Sequence, residues 1–269
     1  MKKITTILFV ALVFNSCGEY QKVLKSDDYN YKYSKAVAYY EAEDFNRAMP
    51  LFNELSTVLR GTAKMEEVSY YFAYCHYSAS DNLMAAYLFK NYTQNYPNGK
   101  HAEECAYMTA YCYYLEAPNY SLDATNNYKA INELQTFVDR FPNSDRIEKC
   151  NLLLDELRTI LSKKAFENAK QYFTTENYKS AIIALENVLI DFPSYTNREE
   201  VYFLIVKSSY LLAVNSISTK VSSRLKATLD AYAQFKDSYP NSDLIKDLQN
   251  TYNKTKQTLT DIKEKKDEI

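Results

Sequence analysis

The chain has 269 residues, with 3 Gly, 6 Pro and no Trp against 27 Tyr; an apolar share of 46% is ordinary for a folded protein and excludes wholesale disorder. Gly18, Gly61 and Gly99 cannot supply a Gly-rich phosphate loop, a Rossmann fingerprint or a glycine-elbow nucleophile, and Asn98-Gly99 is the one tight-hairpin dipeptide, which argues against a large β-fold. A formal charge of −2 leaves no basic footprint, so no nucleic acid is expected as a partner and the composition points to a helical, non-catalytic protein.

At the start, Lys2 and Lys3 precede the apolar stretch Ile4 to Phe14, broken only by Thr5 and Thr6. A membrane span needs roughly 20 apolar residues, so residues 1–16 read as a signal peptide for secretion. Ser16-Cys17-Gly18 follows directly. A small residue before a cysteine at that point resembles a lipobox, the signal for bacterial lipoprotein processing. Phe14 and Asn15 stand where that pattern usually has Leu and a small residue; the other reading is an ordinary cleaved signal beside a chance cysteine. Acyl chains such as palmitate on Cys17 would anchor the body to a membrane surface, each buried CH₂ adding about 0.8 kcal/mol. Residues 17–29 then read as a linker.

The body is marked by four aromatic-proline steps: Tyr96-Pro97, Phe141-Pro142, Phe192-Pro193 and Tyr239-Pro240. Twelve residues before each proline lie Ala85, Ala130, Ala181 and Thr228. Eight before lie Phe89, Leu134, Leu185 and Tyr232, and five before lie Tyr92, Phe137, Val188 and Phe235. These spacings keep the residues on one face of a helix that ends at the proline. A further copy, Ala48, Phe52, Leu55 and Leu59, has Arg60-Gly61 in place of the proline stop. A preceding helix carries Ala36, Ala73 and Ala169, followed three residues later by Tyr39, His76 and Tyr172. This pattern resembles the tetratricopeptide repeat. It predicts an all-α, elongated solenoid of about five helix pairs, covering nearly all of the chain after the linker.

Repeats one to three are expected over residues 30–145, the third with a loop of turn-forming residues from Glu116 to Asn126. Residues 146–269 are expected to hold a long linking helix with apolar Leu152, Leu153, Leu157, Ile160, Leu161 and Ala165, then repeats four and five. Repeat five puts Lys207 at the small position and has a Ser/Thr-rich link, Asn215 to Ser223. A last helix then leads to a solvated tail from Lys263.

A lipobox cysteine, a short linker, about five such repeats and little else resembles the BamD family, lipoproteins of the outer-membrane β-barrel assembly machinery. Tyr107-Met108 before an extended third-repeat loop, then Phe141-Pro142-Asn143-Ser144 and a long linking helix, carry the likeness. The resemblance implies an anchor in the outer membrane with the body in the periplasm. It implies amino-terminal repeats that engage unfolded barrel proteins, and carboxy-terminal repeats that dock a BamA-like, barrel-forming subunit through its periplasmic domains. Two alternatives remain: another periplasmic scaffold of the same repeat, serving division or peptidoglycan synthesis, and an envelope hydrolase carrying repeats.

No catalytic set, metal site or cofactor is expected. His76 falls in the aromatic core column and His101 at a helix start facing solvent. Cys75 and Cys112 share a repeat position that suits small buried residues; whether these or Cys105 and Cys150 pair is open. The tyrosines are the candidate site. Three before, one after and four after each small residue, positions that line the inner face in this repeat, stand Tyr33, Val37 and Tyr40; Tyr70, Tyr74 and Tyr77; and Tyr107, Tyr111 and Tyr114. Repeats four and five have Phe166, Lys170, Phe173, Leu204, Ser208 and Leu211 instead. Tyrosine offers apolar area plus a hydroxyl, which suits an extended peptide; the competing reading is that it fills space between repeats. The rings of Tyr74 and Tyr111 are expected side by side.

Overall fold

The computed structural model describes residues 18–267; the signal segment and Cys17 lie outside them. Among the described residues there are helices and no strand. A short α1 (residues 18–24) precedes α2 (Tyr29–Glu41), α3 (Phe45–Val58), α4 (Lys64–Ser78), α5 (Asn82–Asn95), α6 (Ala102–Leu115) and α7 (Thr125–Arg140). Then come α8 (Ile147–Thr174), α9 (Tyr178–Asp191), α10 (Arg198–Val214), α11 (Ser218–Ser238) and α12 (Ile245–Asp267). The pairs from α2–α3 to α10–α11 are five helical repeats, and the fold is an all-α tetratricopeptide-repeat solenoid.

Each feature of the repeat has a local cause. At Tyr96, Phe141, Phe192 and Tyr239 the backbone N–H still donates to the carbonyl four residues back. The following proline has no N–H to continue the ladder, so the helix stops. The chain then turns the same way each time: Gly99, Ser144, Tyr195 and Ser242 donate back to those aromatic carbonyls at 3.0–3.2 Å. Within repeats one, two and four the turn between helices places Glu43, Ser80 and Glu176 at φ 58–62°. The next residue's N–H then reaches the carbonyl five back, as in Asp44 to Tyr39 at 2.8 Å and Asp81 to His76 at 3.0 Å.

The small columns sit where helices cross. Ala36, Ala73, Ala110 and Ala169 are fully buried, as are Ala48, Ala85, Ala130 and Ala181. Beside them Phe89, Leu134 and Leu185 are fully buried and Tyr232 nearly so.

The described residues divide into two compact units, 18–118 with 123–154, and 119–122 with 155–267. In the first, Val23 of α1 joins the core made by Ala36, Leu51, Phe52, Leu55 and Val68. In the second, Phe166 and Ala169 of α8 pack with Leu185, Val188 and Val201, and Val206 with Phe235 and Leu248.

Five expectations change. The segment expected as a linker contains α1, because Val23 and Tyr20 have an apolar face to cover. On α8, Leu152 is 60% exposed while Leu154 is buried, since Cys150, Leu153, Leu154, Leu157 and Leu161 hold the inward stripe. Most of the Ser/Thr-rich link belongs to α11, where Ser223 Oγ satisfies itself on the Lys220 carbonyl one turn back at 3.0 Å. In repeat five the buried small residue is Ser208; Lys207 reaches out to Asp247 at 3.3 Å. The tail after Lys263 stays helical through Asp267.

Candidate functional site

The eight tyrosines lie on α2, α4 and α6, spaced by three, four or seven residues so that each helix shows them on one side. Seven are half-buried and Tyr107 is buried. Along α4 the Tyr70 and Tyr74 ring centroids are 4.8 Å apart and those of Tyr74 and Tyr77 6.2 Å apart. Along α6 the rings stack face to face: Tyr107 on Tyr111 at 5.7 Å and 13°, Tyr111 on Tyr114 at 6.0 Å and 18°. On α2 the pattern breaks. Tyr40 turns into the repeat-one core against Phe45, Phe52 and Tyr71, and burial pushes its pKa up to about 12.

Tyr74 and Tyr111 are not ring neighbours among the described residues. The Tyr74 ring packs edge-on to the buried Phe89 at 4.9 Å, and its hydroxyl is drawn to Glu104 Oε1 at 2.5 Å. Across these repeats Tyr77 senses Tyr111 electrostatically. Burial, then the Tyr111 phenol, raises the Tyr77 pKa.

A second set of residues went unnoticed in the sequence. Tyr33 donates to Glu67, and Tyr70 donates to Glu104 Oε2 at 3.1 Å, each partner 34 residues further on. The Lys100 N–H meets Glu66 Oε1 at 2.9 Å, and Asn82 meets Glu116 at 2.9 Å, at the same separation. One repeat thus hooks the next through a carboxylate 34 residues away, and a search for Tyr-to-Glu pairs at that spacing would have found the first two. Glu66, Glu67 and Glu104 lie in the first turns of α4 and α6, where the helix dipole favours negative charge. Burial first, then these carboxylates, raise the pKa of Tyr33 and Tyr74, so both stay neutral donors.

Cations also lie over these rings, Lys64 Nζ over Tyr33 at 5.1 Å. Lys149 Nζ lies over the Tyr107 and Tyr111 rings at 5.6 and 5.0 Å, and the Arg146 guanidinium lies over Tyr107 at 5.2 Å. The Tyr107 hydroxyl is the main reason that the Lys149 pKa is raised. Lys32, by contrast, is buried at 1% exposure, where its ammonium holds Glu54 at 2.7 Å and the Leu24 carbonyl of α1 at 3.1 Å.

His76 is half-buried as a packing residue, with its ring against Phe72 and Nδ1 2.9 Å from Asp81. His101 departs from its expected exposure. It stacks on Tyr70 at 3.9 Å, leaving its side chain 19% exposed, because the chain after Gly99 folds back over α4. Gly99 permits this: a Cβ there would lie 2.4 Å from Glu66 Oε1. Cys75, Cys105, Cys112 and Cys150 are buried free thiols. Burial pushes the Cys75 and Cys112 pKa values up to about 12, which keeps both protonated and unreactive.

In the second unit the corresponding positions pack instead of forming a ladder: Phe166 rests on Tyr195 at 5.5 Å, Lys170 pairs with Glu200 at 2.7 Å, and Leu204 and Ser208 are buried. Two hollows, of 630 Å³ beside Phe72 and Tyr96 and of 710 Å³ beside Arg158 and Tyr195, are lined by none of the eight tyrosines. The tyrosine face is an open surface, suited to an extended chain more than to a small molecule. Among the described residues, no group of three or more His, Cys, Asp or Glu is placed to hold a metal ion, and no helix is long and apolar enough to cross a membrane.

Among solved structures, the chain is similar to a TPR2AB-domain:pHSP90-complex of yeast Sti1, at 16% identity and a TM-score of 0.40, over 85% of this chain and 98% of that chain. No curated protein matches the sequence. Residues 25–225 match the YfiO family, described as an outer membrane lipoprotein. That match runs from the end of α1 into α11 and takes in the whole tyrosine face, so the chain belongs to the YfiO family of outer membrane lipoproteins.

Proposed function

We propose that this protein is a non-enzymatic scaffold of outer-membrane protein assembly. The signal peptide is removed, Cys17 carries the lipid, and the body works in the periplasm at the outer membrane. The first three repeats engage unfolded β-barrel proteins through the tyrosine face, and the later repeats dock a BamA-like barrel-forming subunit through its periplasmic domains. The observation that carries this reading is the tyrosine face itself: aromatic rings in series on the amino-terminal repeats of a chain that belongs to an outer membrane lipoprotein family. Such rings add apolar contact area at low entropy cost.

Crosslinking in mild detergent followed by mass spectrometry tests the partner assignment. A barrel-bearing protein with tandem periplasmic domains is the expected product; a peptidoglycan synthase in its place would overturn it. The anchor has its own test. Cys17→Ala is expected to move the protein from the membrane to the soluble fraction and to abolish fatty-acid labelling, and retained labelling would refute lipidation at this residue. For the face, Tyr77 and Tyr111 are better probes than Tyr74, which is held by Phe89 and Glu104. Changing both to Ala is expected to weaken binding of a barrel-protein peptide by about 2 kcal/mol while circular dichroism stays unchanged. Normal peptide binding by a well-folded double variant would place the groove elsewhere.

A further inference from the structure

Repeat one departs from the stop that ends the other four. Arg60 stands where repeats two to five have proline, and Gly61 turns the chain at φ 78° with open space where a Cβ would lie. Beside this break α3, α4 and α5 leave a hollow of 630 Å³. α5 lines it with two rows at four-residue spacing: Tyr87, Asn91 and Asn95, and Leu88, Tyr92 and Tyr96. From Tyr87 to Asn95 the helix rises about 12 Å. Met65 and Phe72 of α4 add apolar surface, and Arg60 is the one charged residue in the wall. The Arg60 guanidinium and the amides of Asn91 and Asn95 have no hydrogen-bond or ion-pair partner among the described residues. By contrast, the Ser56 and Ser69 hydroxyls bond carbonyls of their own helices at 2.7 and 2.8 Å, and Tyr92 gives its hydroxyl to Glu66 at 2.6 Å.

We propose that this hollow binds an acidic disaccharide, two sugar rings carrying one carboxylate. A single cation in a wall without a carboxylate calls for a ligand with one negative charge, and the planar guanidinium fork matches a carboxylate. Two amides one turn apart, each donor and acceptor, call for hydroxyl or amide groups spread along the ligand. The rings of Phe72, Tyr87 and Tyr96 offer apolar faces for the C–H side of a sugar ring. Two linked rings also match the length of the stripe. An acyl chain would cover both amides and give them nothing to bond, which is unfavourable. An extended peptide of the same length is about four residues and turns alternate side chains away from the wall. The hollow is lined by none of the eight groove tyrosines, so the site stands or falls apart from the tyrosine face.

The test titrates the mature chain, in mild detergent, with two matched sugars by isothermal calorimetry. N-acetylglucosaminyl-N-acetylmuramic acid carries one carboxylate, and N,N′-diacetylchitobiose has two similar rings and none. The acidic sugar is expected to bind at a single site, about tenfold more tightly than the neutral one, the factor of one charge-assisted contact. Arg60→Gln removes that preference, and Asn91→Ala with Asn95→Ala weakens both sugars; circular dichroism confirms that each variant is folded. Tyr77→Ala/Tyr111→Ala leaves both affinities unchanged. Absence of saturable binding by the acidic sugar would overturn the proposal, as would equal affinity for the two sugars or a preference that survives Arg60→Gln. Dodecyl phosphate or an acetylated tetrapeptide amide bearing one Asp, if bound more tightly than the acidic sugar, would reassign the hollow to a lipid or a peptide. Loss of sugar binding in the double tyrosine variant would move the site to the tyrosine face.

Discussion

Glu54→Ala will destabilise the first unit by about 3 kcal/mol, whereas the same change made together with Lys32→Met will cost little beyond Lys32→Met alone. The Lys32 ammonium is held out of water between α1, α2 and α3, with Glu54 bound through both carboxylate oxygens at 2.7 and 2.8 Å. Removing the carboxylate leaves a charge with the Leu24 carbonyl and, 5.7 Å away, the Tyr29 ring as its remaining contacts. Methionine fills a similar volume with no charge to desolvate, so its cost is confined to that carbonyl. Chemical denaturation of the two single variants and the double variant gives the coupling directly. Limited trypsin digestion adds a structural readout: in Glu54→Ala, α1 loses its grip and the exposed Lys22 and Lys25 become early cleavage sites. Additive losses would mean that the pair is not coupled.

Phe89→Ala is expected to cost about 3–5 kcal/mol, the range for emptying a buried aromatic site. Phe89 is fully buried in α5, and its ring supports Tyr74 edge-on. The variant therefore has a second effect, a drop in peptide binding, because Tyr74 loses the partner that fixes its ring. Thermal melting and fluorescence anisotropy of a labelled peptide measure both. A loss below about 1 kcal/mol would show that Phe89 is not the inward residue of its helix.

The register of the repeat was legible because it is written in residues with one physical use. Proline ends a helix whatever surrounds it, and alanine recurs where two helices leave no room for more. The columns through Ala85, Phe89 and Tyr92 accordingly come out buried. What the sequence hid depended on partners far along the chain. Lys32 reads as an ordinary polar helix residue until α1 closes over it, and α1 is too short to announce itself by periodicity. The tyrosines were visible as a column, but the column does not say which hydroxyl meets a carboxylate. Tyr40 occupies a groove position by spacing and a core position in fact, since Phe45, Phe52 and Tyr71 surround it. His101 was misjudged for the same reason: its burial comes from Tyr70, in the previous repeat.

The first helix also sets how far the protein can stand from its support. Described structure begins at residue 18, immediately after the proposed lipid-bearing Cys17, and Val23 is already in the core. Drawn out straight, residues 18–24 would be a leash of about 25 Å. Wound into α1 and held by Tyr20 and Val23, they rise only about 10 Å, and that length is stiff. With the lipid on Cys17 as proposed, a body mounted this way would hug the membrane surface at a fixed height and could not sweep outward. Under the proposed function, clients would then have to be delivered to it at the membrane.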